Sequence, residues 1–122
     1  MIDTNHIVEN YLAAWNETDT DTRRVRIAAL FSENASYLDP MMRGEGHAGL
    51  EQMIGAVQRQ FDGYRFAACG TVDTHNEVVR FSWSLGLPTQ APVAYGTDVA
   101  EVAADGRLQR VIGFLDAAPA AV

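Results

Sequence analysis

Residues 50–64 read Leu50-Glu51-Gln52-Met53-Ile54-Gly55-Ala56-Val57-Gln58-Arg59-Gln60-Phe61-Asp62-Gly63-Tyr64, and the character of the chain changes across them. Leu50, Met53, Ile54, Val57 and Phe61 fall at i, i+3, i+4, i+7 and i+11, the spacing that lines up side chains on one helix face. After Tyr64 that period is gone. Segments 65–75, 77–87, 93–103 and 107–116 are rich in Val, Phe, Tyr, Thr and Trp. Their breaks are His75-Asn76, the stretch from Pro88 to Pro92, and Asp105-Gly106, a tight-hairpin pair. Four strands with short links predict an antiparallel meander.

Upstream of Leu50 the chain reads as helical first. Ile7, Val8, Tyr11, Leu12 and Trp15 share a face of a helix predicted over 3–17. The polar run Glu17-Thr18-Asp19-Thr20-Asp21-Thr22 breaks it, and Thr20, Asp21 or Thr22 is expected to cap a second helix. That helix is expected to run to Phe31, with Ile27, Leu30 and Phe31 inward. Ala35 to Leu38 forms a short strand stopped by Pro40, and Gly44, Gly46 and Gly49 punctuate a loop before the third helix. The order is ααβ-α-ββββ, an α+β fold with helices segregated from the meander.

The 122 residues fit one domain, expected over 1–116, with the small-residue stretch 117–122 as a frayed tail. Net charge is −7, from nine Arg, no Lys and sixteen acidic residues. Without lysine there is no Schiff-base chemistry, no pyridoxal-phosphate anchor and no P-loop. The acidic excess argues against nucleic acid and anionic membrane as partners. Cys69 is the only cysteine, so no intrachain disulfide forms; its setting, Phe66-Ala67-Ala68-Cys69, reads as a buried, inert thiol. The first residues lack a basic and apolar leader, and no run approaches the ~18 apolar residues of a membrane helix, so a cytoplasmic protein is expected. His6, His47 and His75 show no metal-ligand spacing, and His47 reads as a helix-start residue. Gly44-Glu45-Gly46 lacks the pattern of a dinucleotide loop, and no Ser sits in a nucleophile elbow. Neither metal nor cofactor is expected.

Both faces of the last strands carry apolar residues. Leu108, Ile112 and Phe114 share one parity, Val111 and Leu115 the other. One layer of helices covers one face, so a homodimer through the sheet is expected to cover the second.

Several stretches together resemble the SnoaL-like branch of the NTF2-like superfamily, which includes polyketide cyclases and is similar to the ketosteroid isomerases. They are Tyr11-Leu12-Ala13-Ala14-Trp15-Asn16, Leu30-Phe31-Ser32-Glu33-Asn34-Ala35-Ser36-Tyr37-Leu38-Asp39-Pro40, Gly46-His47-Ala48-Gly49-Leu50 and Asp105-Gly106-Arg107. The resemblance implies a cone: three helices packed on a strongly curved antiparallel or mixed sheet, closed around an apolar pocket for a small apolar molecule. It also implies an isomerase-like set. The helix-1 tyrosine falls on Tyr11, the base of an Asp-Pro pair on Asp39, and the second aspartate, eight residues before the hairpin glycine, on Asp98. The link from Trp15 to Phe31 is longer than in the isomerases. Trp15, Phe31, Tyr37, Met53, Val57, Phe66, Trp83 and Val111 are expected to line core and pocket together, with Met41 and Met42 flanking.

Enolisation needs a base near a carbon and donors near the developing oxyanion. On that scheme Asp39 shuttles the proton while Tyr11 and a neutral Asp98 stabilise the enolate. Asp98 shares its strand face with Gly96, Ala100 and Val102, where an unpaired ion is costly, so it should be neutral or hydrogen-bonded. Plainer roles stay open. Asp39 before Pro40 is also a turn former, Tyr11 a core aromatic, and Asp98 a cross-strand partner for Arg80 or Arg110. Arg43 reads as a solvated loop residue. The same fold also supports epoxide hydrolysis by an Asp-Arg-Asp set, which would need Arg80 or Arg65 in the pocket. A ligand carrier or dimerisation module is the alternative without catalysis.

Overall fold

Local sequence sets the helix limits. Asp3 accepts a hydrogen bond from the His6 amide and opens α1 (Thr4–Asn16). Ile7, Val8, Tyr11, Leu12, Ala14 and Trp15 are its buried residues. The cap of α2 (Thr20–Leu30) is Asp19, one residue before the three expected, because its carboxylate takes both the amide and the hydroxyl of Thr22. This helix ends at Leu30 rather than Phe31. Phe31 is already extended (φ −108°, ψ 143°) and begins β1 (Phe31–Leu38), longer than the expected 35–38. Phe31 is buried in either element, so its apolar character did not reveal the boundary. In α3 (Gly46–Gln60) Leu50, Met53, Ile54 and Gly55 are buried. Arg23 of α2 is buried too, in a bidentate ion pair with Glu51 of α3 and a hydrogen bond to the Glu17 carbonyl.

The computed structural model describes residues 3–117; the tail expected at 117–122 lies, beyond Ala117, outside the described residues. The meander is present as β3 (Arg65–His75), β4 (Val78–Gly86), β5 (Ala94–Val102) and β6 (Leu108–Asp116), all antiparallel neighbours. Asn76 (φ 50°) and Gly106 (φ 88°) turn two of its hairpins in the left-handed region. A short strand, β2 (Arg43–Glu45), forms where only a glycine loop was expected and pairs with β1. Three residues carry too little alternation to announce a strand. The sheet order is β2-β1-β6-β5-β4-β3, with β1 parallel to β6. The result is the α+β cone with a mixed sheet.

One register detail corrects the reading of the last strand. Glu101 pairs with Arg110 but Val102 with Leu108, so Gln109 is an extra residue, a bulge. The bulge reverses parity, and Leu108 faces inward with Val111, both buried. Ile112 and Phe114 point to the outer face, where Phe114 is 56% exposed. Cys69 also departs from expectation. It is half-buried on β3, an edge strand that is largely exposed, beside a register shift between Cys69 and Asp73.

Candidate active site

A cavity of about 290 Å³ lies between the helices and the concave face of the sheet. Helix α1 delivers Tyr11 and Trp15 to it, one turn apart, with Leu12 beside them. Strand alternation supplies the opposite wall: Trp83 and Leu85 of β4 and Ala94 and Asp98 of β5 line it, while Phe81, Gly96, Ala100 and Val102 on these strands are buried without lining it. From β1 and the turn after it come Tyr37 and Asp39, and from the end of α3 come Val57 and Phe61. Met41 (78% exposed) and Leu115 (47% exposed) stand at the mouth.

Asp98 is the polar centre. It is 2% exposed. Tyr11 donates its hydroxyl proton to Oδ2 at 2.6 Å, and the Trp83 indole donates to Oδ1 at 3.2 Å. Burial pushes its pKa up to about 6; the two donors oppose that shift, while the charges of Asp39 and Asp116 add to it. Desolvation and the neighbouring Asp98 raise the hydroxyl pKa of Tyr11 well above its ordinary value, and that of Tyr37 rises for the same reasons. Both tyrosines therefore stay protonated donors.

Asp39 is engaged differently. Its Oδ1 accepts from the Met41 and Met42 amides and its Oδ2 from the Tyr37 hydroxyl, at 2.7–2.9 Å. With the Asp39 amide donating to the Met42 carbonyl, this makes a closed turn. Asp39 is thus a turn former and also a cavity residue.

Two glycines make room for this arrangement. A Cβ on Gly113 would fall 2.7 Å from Asp98 Oδ1, 3.2 Å from the Tyr37 hydroxyl and 3.3 Å from Asp39 Cβ. A Cβ on Gly96, the cross-strand partner of Trp83, would run into the Trp83 ring. Neither glycine has positive φ, so the requirement is space alone. Sequence reasoning missed Gly113; it faces Asp98 in the β5–β6 register, which becomes visible once pairing is known.

Of the residues expected to line the pocket, Tyr11, Trp15, Tyr37, Asp39, Val57, Phe66, Trp83 and Asp98 do so. Phe31, Met53 and Val111 are buried in the core and are not among the lining residues. Leu12, Ala56, Gln60, Phe61, Leu85, Ala94 and Leu115 line it without having been anticipated. His47 bonds to the Phe31 carbonyl at the start of α3, and Arg43 lies on β2. No arginine lines the cavity: Arg80 pairs with Asp73 on the surface, and Arg65 is exposed. That removes the Asp-Arg-Asp arrangement of an epoxide hydrolase. Among the described residues no cluster of three His, Cys, Asp or Glu could hold a metal, and no helix is long and apolar enough to cross a membrane.

The SnoaL-like domain pattern matches residues 8–111. The chain belongs to the SnoaL-like family. A candidate isomerase of this family from Agrobacterium tumefaciens is 46% identical over 93% of this chain and 97% of its own, with a TM-score of 0.90. A SnoaL-like protein of unknown function from Burkholderia thailandensis (14% identity, 93% and 95% coverage, TM-score 0.75) shares the fold. So does a candidate polyketide cyclase from Sinorhizobium meliloti (20% identity, 88% and 93% coverage, TM-score 0.69). No curated protein matches the sequence. The SnoaL-like cone accounts for the mixed sheet, the helical cover on its concave side and the apolar cavity between them.

Proposed function

We propose that this SnoaL-like protein binds a small, uncharged, mostly apolar carbonyl compound and moves a proton between carbons near its carbonyl, with Asp98 as base and then acid. The observation that carries the reading is a carboxylate buried in an apolar cavity, hydrogen-bonded to Tyr11 and Trp83, with no cationic side chain on the lining. The cavity is at the lower edge of the ~300–1,000 Å³ common for small-molecule sites, which suits a compact ligand. Two carboxylates and no cation disfavour an anionic one. Likeness to the candidate isomerase from Agrobacterium tumefaciens supports the reaction class.

The chemistry balances without a cofactor. The Asp98 carboxylate takes a proton from the carbon beside the carbonyl, and the C–H electron pair moves into the enolate. Asp98, now an acid, returns the proton to another carbon of the conjugated system. This assigns the base differently from the isomerase resemblance, which gives it to Asp39. Both Asp39 oxygens are committed to the turn and to Tyr37, whereas each Asp98 oxygen has one partner.

The two assignments differ in pH dependence. A base with a pKa of about 6 must be ionised, so turnover should rise as pH increases through 6 and then level off. A neutral Asp98 donor would give the opposite limb, with activity falling above pH 6. Conversion of cyclohex-3-enone to its conjugated isomer, followed by ultraviolet absorption from pH 4.5 to 8.5, decides between them. Binding of the ketone without conversion at any pH would identify a carrier.

The proposal includes a homodimer. Ile112 and Phe114 point from the outer face of β6, away from the helices, and Phe114 remains exposed. Sedimentation should show twice the monomer mass at micromolar concentration, and Phe114→Glu should shift it toward monomer. A wild-type monomer at that concentration removes this part of the proposal.

A further inference from the structure

The sheet ends on β3, and a strand at a free edge lacks a neighbour for one side of its backbone. At Phe66 a side chain takes that neighbour's place. Asn16, the last residue of α1, accepts from the Phe66 amide through Oδ1 at 2.7 Å. Its Nδ2 donates to the Phe66 carbonyl at 2.9 Å. One amide thus meets both backbone groups of one residue, as a paired strand would. The end of α1 is itself held in place, because Gln58 of α3 donates to the Trp15 carbonyl at 2.6 Å.

Phe66 carries this clasp into the cavity, which it lines. Its ring meets those of Trp15 and Trp83 edge-on, with centroids 5.4 and 5.2 Å away. The Trp83 ring lies over Gly96, where no side chain supports it. Trp83 in turn donates to Asp98 Oδ1 at 3.2 Å, the longer of the two hydrogen bonds on that carboxylate.

We infer that Asn16 is a positioning residue for the proton transfer: its clasp on Phe66 holds the Trp83 indole within reach of Asp98. The inference rests on the reading of Asp98 as the base. Without the clasp the start of β3 frays from the sheet edge, the Phe66 ring loses its seat, and the Trp83 bond to Asp98 fails. A carboxylate that loses a donor holds its proton more tightly, so Asp98 should ionise at a higher pH. The titratable groups facing Asp98 stay the same: Tyr11 from α1, Tyr37 from β1, Asp39 from the turn after it and Asp116 from β6.

The Trp83 indole proton reports on Asp98, since its hydrogen bond strengthens when the carboxyl ionises. The chain has two tryptophans, so ¹⁵N-labelled protein gives two indole signals, assigned with Trp83→Phe. In the wild type the Trp83 signal should titrate with a midpoint of about 6. In Asn16→Ala it should lie upfield and lose most of its pH-dependent movement. Turnover of cyclohex-3-enone should then rise with a midpoint about one pH unit higher. Asn16→Leu, which keeps the volume and removes both hydrogen bonds, should do the same. Ile54→Val truncates a buried α3 residue off the cavity lining and should leave both midpoints at the wild-type value. In the wild type the Phe66 amide should exchange slowly with deuterium although it faces the free edge of the sheet. Fast exchange there, wild-type Trp83 titration in either Asn16 variant, or an equal change in Ile54→Val would overturn the inference. Turnover with an unmoved midpoint in Asn16→Ala removes the part given to Asn16 and leaves proton transfer standing. The expected Trp83 change in a protein that converts no ketone at any pH supports the clasp and removes the reaction.

Discussion

Asp98→Asn is expected to stop proton transfer while making the folded protein more stable at neutral pH. A buried general base typically contributes about 10²–10⁴-fold to turnover, and an amide cannot accept the proton. The stability gain follows from the direction of the Asp98 shift, from 3.8 up to about 6 in the fold. A carboxyl whose folded pKa is raised stabilises the fold when protonated, fully so below its unfolded pKa. That contribution fades as pH rises between the two values and is gone above about 6. A rise from 3.8 to about 6 corresponds to about 3 kcal/mol lost by pH 8. Asn carries no charge, so it escapes this loss. Its amide leaves one of the Tyr11 and Trp83 donors without an acceptor, which costs about 1 kcal/mol. Urea unfolding should therefore show Asp98→Asn about 2 kcal/mol more stable than wild type at pH 8, with the advantage absent at pH 4. A variant that keeps its turnover, or that unfolds more easily at pH 8, contradicts the role given to Asp98.

Gly113→Ala tests the geometry rather than the charge. The added methyl must share space with Asp98 Oδ1, 2.7 Å away, and with the Tyr37 hydroxyl and Asp39 Cβ, both within 3.3 Å. Backbone strain plays no part, because Gly113 has no positive φ. Overpacking of this kind costs about 1–3 kcal/mol, and displacement of a reacting group by about 1 Å lowers rates roughly 100-fold. Gly49→Ala is the control. Gly49 lies within α3, and its nearest neighbours to an added Cβ are 3.7 Å away, an ordinary contact. It should leave both stability and turnover close to wild type. If Gly113→Ala turns over ketone at the wild-type rate, the Asp98–Tyr37–Asp39 cluster does not govern the chemistry.

The helical period from Leu50 to Phe61 and the hairpin signals at His75-Asn76 and Asp105-Gly106 were legible because they are local. Backbone conformation and side-chain spacing within a dozen residues carry them. The face of β5 bearing Gly96, Asp98, Ala100 and Val102 was legible for the same reason, as a period of two holds along an undisturbed strand. That logic failed on β6, where the Gln109 bulge reverses the alternation between Leu108 and Val111. A bulge depends on the neighbouring strand, and one strand's sequence does not show it. The parallel pairing of β1 with β6 was hidden for a related reason, since it joins residues some seventy positions apart.

By itself, then, the sequence determined the order of every element except the short β2, the absence of amine chemistry and the apolar setting of Asp98. The tertiary structure decided what Asp98 and Asp39 do. Tyr11 and Asp98 are 87 residues apart in the chain, and their 2.6 Å hydrogen bond exists because α1 crosses the concave face of the sheet. Packing also took the donors of Tyr11, Trp83 and Tyr37 for the two carboxylates and left the Trp15 indole unpaired. Hydrogen-bond satisfaction is a property of the whole cavity: each donor finds or lacks a partner according to groups supplied by α1, β1, β4 and β5 together.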